Sequence, residues 1–188
     1  GRKMSKSKGN GIAPQEVIDE HGADALRYLS ASIKPGSNAA FSDKELILAK
    51  KLYTKLFNAT KFVFMNLEDY NKKDKPEKLE TTDKLFLKKL NDSIEKITKH
   101  FENYEPTLAR GEFDRFFWNM FCDNYLEIVK KRVYNSQAGD NEKVSAQYTL
   151  YQTLLALVKM LAPIMPFTTE EVYQNYFHEE NGGPEKDK

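Results

Sequence analysis

The sequence is poor in cysteine and has no long apolar run, and these absences exclude several classes of protein. Cys122 is the single cysteine among 188 residues, which excludes an intramolecular disulfide framework and favours a reducing compartment. No run approaches the roughly 18 consecutive apolar residues that a membrane-spanning helix needs. Nine glycines and seven prolines are too few for a collagen-like or low-complexity chain. We therefore expect a cytoplasmic protein without a membrane partner. A monomer is expected as well.

Charge is nearly balanced overall but unevenly placed. The net charge is +1, from 29 basic and 28 acidic residues. The first ten residues carry no acid and four basic residues, Arg2, Lys3, Lys6 and Lys8. A cationic segment on a near-neutral body indicates a local anion site. The three histidines are isolated and the acidic residues are scattered, so no metal site is predicted.

Apolar residues recur at helical spacing and no strand pattern is convincing, which predicts an all-α fold. Short helices are expected at 14–21 and 23–32. Four long helices are expected between residues 42 and 162, the third of them kinked near Gly111, and a short helix after Thr168. Ser42 and Glu45 have the spacing of a capping box at the start of the first long helix. Antiparallel amphipathic helices with short connections predict a four-helix-type bundle.

The chain divides into three predicted parts. Residues 1–41 form a Gly- and Ser-containing loop with two linking helices, and the turn at 34–38 marks the boundary. Residues 42–178 form the helical domain. Residues 179–188 form a polar tail that we expect to be disordered.

The most specific motif is the string Lys-Met-Ser-Lys-Ser-Lys-Gly-Asn at 3–10. Two lysines three residues apart on a Ser/Gly loop present mobile ammonium groups beside backbone N–H donors. Such a loop can close over a polyphosphate and neutralise charge that develops during phosphoryl or nucleotidyl transfer. The alternative is an exposed basic tail.

Lys-Met-Ser-Lys-Ser resembles the signature loop of class I aminoacyl-tRNA synthetases. The strings at 22–28 (GADALRY) and 161–171 (LAPIMPFTTEE) are similar to segments of the Val/Ile/Leu/Met subgroup. The resemblance implies the end of a Rossmann catalytic domain followed by an anticodon-binding bundle. It also implies that Lys6 is the main catalytic contact to ATP, that Lys3 supports it, and that Ser5 and Ser7 complete the ATP-binding loop. ATP is then expected with Mg²⁺.

Within the subgroup, the strings at 117–127 (FWNMFCDNYLE) and 57–62 (FNATKF) resemble the valyl members. The implied activity is the ATP-dependent attachment of valine to a valine-accepting tRNA. Isoleucyl and leucyl members are the alternatives, as is a non-catalytic RNA-binding or protein-interaction module. The family's His-Ile-Gly-His motif is absent. We therefore expect a C-terminal fragment, from the signature loop through the anticodon-binding domain, that does not catalyse alone.

Two groups of residues are candidate tRNA contacts. Lys51, Lys55, Asn58 and Phe62 recur at i, i+4, i+7 and i+11 on one helical stripe. Ammonium groups and an exposed ring suit the phosphates and splayed bases of a single-stranded loop. The alternative is a solvated lysine-rich face with Phe62 in the core. The run Lys130-Lys131-Arg132 is the second group, and complementarity to a helix C-terminus is its alternative.

Three further features of the sequence are predicted to have structural rather than functional roles. Asp24 and Arg27 have the spacing of an exposed i, i+3 ion pair. Trp118 lies among phenylalanines at helical spacing and is predicted to pack in the core. Cys122 shares that helix and is predicted to be buried rather than nucleophilic.

Overall fold

The protein is described by a computed structural model, which covers Met4, Gly9 and residues 11–39, 41–70, 75–137 and 139–178. These residues form eight α-helices and one π-helical segment, and no strand occurs among them. The prediction of an all-α fold is confirmed. The elements are α1 (Pro14–His21), α2 (Ala23–Ala31), α3 (Asp43–Met65), α4 (Thr81–Glu102), α5 (Pro106–Arg115), the π segment (Phe116–Tyr125), α6 (Leu126–Asn135), α7 (Asn141–Leu161) and α8 (Pro166–Tyr176).

Local residues explain the bounds of the first two helices. Pro14 occupies the first turn of α1, where its missing N–H leaves no hydrogen bond unmade. Gly22 then ends α1 with a positive φ of 83°, a conformation that glycine adopts at little cost. The backbone N–H of Gly22 donates to the carbonyl of Ile18. The predicted bounds of both helices are therefore confirmed to within one residue.

The four long helical stretches pack as a bundle. They are α3, α4, the continuous α5–π–α6 stretch and α7, and α4 packs against both α5 and α7. Helix α8 returns along α3 and α7 and also contacts α2. No helix in the described ranges is long and apolar enough to cross a membrane.

The third long helix differs from the expected kinked α-helix. Gly111 lies inside the regular helix α5, and the irregularity is the ten-residue π segment that follows it. Four buried aromatic rings recur every fourth residue, at Phe113, Phe117, Phe121 and Tyr125. In an α-helix such a row drifts by about 40° per step. The wider π turn reduces this drift, so that the rings stay on the core side.

The capping box predicted for α3 is wrong. Ser42 does occupy the N-cap position, but its side chain makes no capping hydrogen bond. The carboxylate of Glu45 instead pairs with the guanidinium of Arg110 on α5 at 2.7 Å. A tertiary ion pair has therefore replaced the local cap.

Candidate nucleic-acid interface

The signature-loop residues Lys3, Ser5, Lys6 and Ser7 lie outside the described residues. Their roles as ATP contacts remain predictions. The tail at 179–188 and its expected disorder also lie outside the described residues. Within the loop string, Met4 is exposed and Gly9 has a positive φ of 60°.

The predicted stripe on α3 lies beside an open groove of about 520 Å³. Lys51 and Asn58 are exposed, and Lys55 is half-buried. The lining comprises His21, Leu46, Ile47, Lys50, Lys51, Thr54, Lys55, Asn58 and Trp118. No acidic side chain is among these described lining residues. The groove therefore combines an apolar floor with a cationic wall, and it includes Lys50, which the stripe pattern missed.

Trp118 is not wholly a core residue. Its ring packs edge-on against that of Phe117, with centroids 5.3 Å apart, while the residue also lines the groove. Cys122 is buried as predicted. Burial raises the pKa of its thiol to about 12, although the charge of Lys55 acts to lower it.

Phe62 is half-buried, so it is not the exposed aromatic at the end of the stripe. Its ring contacts Tyr134 of α6 edge-on, with centroids 6.3 Å apart and planes at 83°. Tyr134 is 62% exposed. Lys131 is exposed and precedes Tyr134 by three residues, so the two side chains share a face of α6. We call Phe62, Lys131 and Tyr134 the aromatic patch.

The three basic residues on α6 have different environments. The Nζ of Lys130 lies 2.7 Å from both carboxylate oxygens of Glu127, in an exposed pair of small energetic value. The guanidinium of Arg132 donates two hydrogen bonds of 2.6 Å to the two carboxylate oxygens of Asp83. Arg132 is therefore engaged within the bundle, which the sequence pattern did not reveal. Arg132 also lies in the last turn of α6, as the helix-end alternative requires, and a contact of Lys130, Lys131 or Arg132 with tRNA stays a prediction.

Asp83 is fully buried and is the centre of a polar network. Besides Arg132, it accepts hydrogen bonds from the hydroxyls of Tyr125 at 2.7 Å and Ser145 at 2.6 Å. Ser145 in turn accepts the backbone N–H of Glu80 at 2.9 Å. The hydrogen bonds between Arg132 and Asp83 raise the pKa of Arg132. Burial together with the charge of Asp83 raises the pKa of Tyr125. The network ties α4, the π segment, α6 and α7 together near the aromatic patch.

The predicted ion pair between Asp24 and Arg27 is wrong. Asp24 is only 7% exposed, and its carboxylate accepts the backbone N–H of Thr168 at 2.6 Å. Arg27 donates to the carbonyls of Pro163 at 2.8 Å and Ile164 at 3.0 Å. Asp24 therefore binds a free N–H group in the first turn of α8, and Arg27 binds carbonyls of the turn between α7 and α8.

Comparisons with known proteins agree with this architecture. Residues 83–187 match the family described as the anticodon-binding domain of tRNA ligase, and residues 1–42 match class I tRNA synthetases (I, L, M and V). Valine–tRNA ligases of Ehrlichia canis (strain Jake) and Ehrlichia ruminantium (strain Welgevonden) are 45% and 47% identical over 95% and 94% of the chain. The chain spans 22% of the length of each of these relatives.

Solved structures show the same fold at lower identity. The LeuRS of Agrobacterium radiobacter K84, in a ternary complex with tRNA and LeuAMS, matches with a TM-score of 0.67 and 23% identity over 94% of this chain and 21% of its own. Methionyl-tRNA synthetase of Mycobacterium tuberculosis matches with a TM-score of 0.72 and 21% identity over 92% and 35%.

Proposed function

Because the chain belongs to the family of anticodon-binding domains of tRNA ligases, we propose that it is the tRNA-recognising part of a valine–tRNA ligase. In the whole ligase, valine and ATP give valyl-adenylate and pyrophosphate, and valine then passes to the terminal ribose of its tRNA. The class I match of residues 1–42 implies the use of ATP. Contact of Lys3, Ser5, Lys6 and Ser7 with ATP and Mg²⁺ is part of the proposal, as are the monomeric state and the cytoplasmic location.

The observation that carries the proposal is the aromatic patch. Tyr134 is 62% exposed, and the edge contact with Phe62 supports its ring while leaving it open to solvent. Unpaired bases of an RNA loop stack on such rings, and a neighbouring ammonium such as that of Lys131 binds the adjoining phosphate. The aromatic patch therefore suits a splayed base of the anticodon loop.

The groove beside α3 supports a second contact to the same RNA. Lys51 and Phe62 are eleven residues apart on one helix, which corresponds to about 16 Å along its axis. Lysines are point charges that bind phosphates without reading bases. We assign Lys50, Lys51 and Lys55 to the RNA backbone, and base recognition to the aromatic patch.

Equilibrium binding to a valine tRNA transcript tests the aromatic patch. Stacking of one base contributes about 1–3 kcal/mol, so Tyr134→Ala is expected to weaken binding roughly tenfold. Tyr104→Ala is the matched control. Tyr104 is 88% exposed and follows the far end of α4, about 30 Å along that helix from Asp83. Equal affinities for the two variants would overturn the assignment.

A further inference from the structure

Two oppositely charged side chains of α2 bind the backbone where α7 ends and α8 begins. The carboxylate of Asp24 takes the backbone N–H groups of Phe167 at 3.4 Å and Thr168 at 2.6 Å, in the first turn of α8. The guanidinium of Arg27 donates hydrogen bonds to the carbonyls of Pro163 and Ile164, which follow α7. We call Asp24 and Arg27 the clasp. Asp24 therefore satisfies free N–H groups in the first turn of α8, and Arg27 satisfies carbonyls of the turn that precedes it.

A second contact holds α2 against the bundle. The hydroxyl of Tyr28 donates to the carboxylate of Asp114 at 2.7 Å. The guanidinium of Arg110 lies 3.8 Å from the centroid of the Tyr28 ring and also pairs with Glu45 of α3. Tyr28 and Arg110 are both buried. Since the contacts of α2 reach α3, α5 and α8, its orientation on the bundle is defined from three directions.

The clasp also crosses the boundary between the two family matches. Asp24 and Arg27 lie within residues 1–42, which match the class I synthetases, whereas the turn they bind lies within the anticodon-binding match at 83–187. Helix α2 follows the signature loop directly after α1. The clasp therefore connects the segment expected to contact ATP with the segment expected to contact tRNA.

The distance between the clasp and the aromatic patch magnifies any change in the orientation of the bundle. The clasp lies at the C-terminal end of α7, and Arg132, two residues before Tyr134, approaches the carbonyl of Glu142 at the opposite end. Helix α7 has 21 residues and is therefore about 30 Å long. A tilt of about 10° at the clasp thus moves the aromatic patch by about 5 Å. Misplacement of reacting groups by about 1 Å can cost a hundredfold in rate.

We propose that Asp24 and Arg27 are positioning residues. They set the orientation of the bundle on the catalytic segment, so that a tRNA held at the aromatic patch presents its acceptor end to the adenylate. This inference rests on the proposed function. A role limited to helix capping would affect stability alone, and the two partial reactions of the ligase separate these possibilities.

The experiment uses the intact ligase that contains this chain. Valine-dependent ATP–pyrophosphate exchange reports activation without tRNA, and aminoacylation reports transfer to tRNA. For Arg27→Gln and Asp24→Asn, we expect kcat for aminoacylation to fall at least tenfold while the KM for tRNA and the exchange rate change less than twofold. Arg27→Lys keeps the charge but loses the planar fork, and a smaller fall is expected.

The matched control is Asp19→Asn, an exposed carboxylate on α1 that binds Gln15 of its own helix. Aminoacylation equal to that of the control, or equal losses in both reactions that follow a lower melting temperature, would overturn the positioning role. If a clasp variant does not fold, Arg27→Lys is the variant that decides. Failure of the unmodified ligase to charge valine tRNA would instead contradict the proposed function.

Discussion

The carboxylate of Asp24 accepts the backbone N–H of Thr168 at 2.6 Å, although 144 residues separate them in the chain. A carboxylate at a helix N-terminus satisfies a free donor and complements the helix dipole. Through this bond, the short helix α2 adopts a defined place against α8. The two parts of the chain that match different family descriptions therefore form one packed structure.

The buried pair of Asp83 and Arg132 is expected to be essential for stability. Asp83→Asn leaves the guanidinium of Arg132 without its charged partner, and removing one member of such a pair costs about 3–5 kcal/mol. Urea unfolding followed by circular dichroism measures the loss. Asp92→Asn, an exposed position on the same helix, is the control and should change stability by less than about 0.5 kcal/mol. Similar losses in the two variants would contradict the structural role of Asp83.

The pair of Asp69 and Lys143 predicts a dependence of stability on pH. The hydrogen bond from Lys143 lowers the pKa of Asp69 below its ordinary value of 3.8. A lowered pKa in the folded state stabilises the protein above the unfolded value and loses this effect as pH falls through the folded value. Wild-type protein should therefore exceed Asp69→Asn in unfolding free energy at pH 7, by about 0.2–1 kcal/mol, the range for ion pairs near the surface. The difference should shrink below about pH 4, and a constant difference would count against the pair.

Cys122 is expected to be chemically silent in the folded protein. Its thiol is buried, and burial raises its pKa to about 12, so it stays protonated at pH 8. A disulfide reagent that releases a coloured thiolate should react only as the protein unfolds in denaturant. A variant carrying Lys99→Cys, on the exposed face of α4, should react at once. Rapid reaction of the wild-type thiol without denaturant would contradict the packing of the π segment.

The lysines of the groove should contribute only to the electrostatic, salt-dependent part of the affinity for tRNA. The slope of log K against log salt is negative, and each phosphate contact that is lost reduces its magnitude by about 1. Lys51→Ala and Lys55→Ala are therefore expected to weaken binding of all tRNAs equally and to reduce the slope by about that amount. Lys99→Ala is the control on α4. A slope that stays unchanged in the groove variants would place the RNA backbone elsewhere.

Local signals predicted the helices, whereas the polar contacts between helices were missed. Pro14 and Gly22 punctuate α1, so its bounds could be predicted from neighbouring residues. Nothing within a few residues of Asp24 or Arg132 indicates their partners, which come from other helices. Tyr134 was missed for the same reason, because the contact that supports its exposed ring comes from Phe62 on another helix.

The predicted family and the predicted helical bundle are confirmed. The predicted domain boundaries at residues 41 and 178 remain predictions. Tertiary contacts also decided between local alternatives. The spacing of Ser42 and Glu45 favours a cap, yet Arg110 provides a stronger partner for the carboxylate. Propensity and spacing describe a helix in isolation, and burial against other helices then redirects its charged side chains.

The most direct measurement is the affinity of this chain for three RNAs at two salt concentrations. They are valine tRNA, the same tRNA with an altered anticodon, and isoleucine tRNA. Recognition by the aromatic patch predicts at least tenfold tighter binding of valine tRNA than of the other two, at both salt concentrations. Equal affinities that weaken together as salt rises would show phosphate contacts alone, and would contradict the claim that this bundle reads the anticodon.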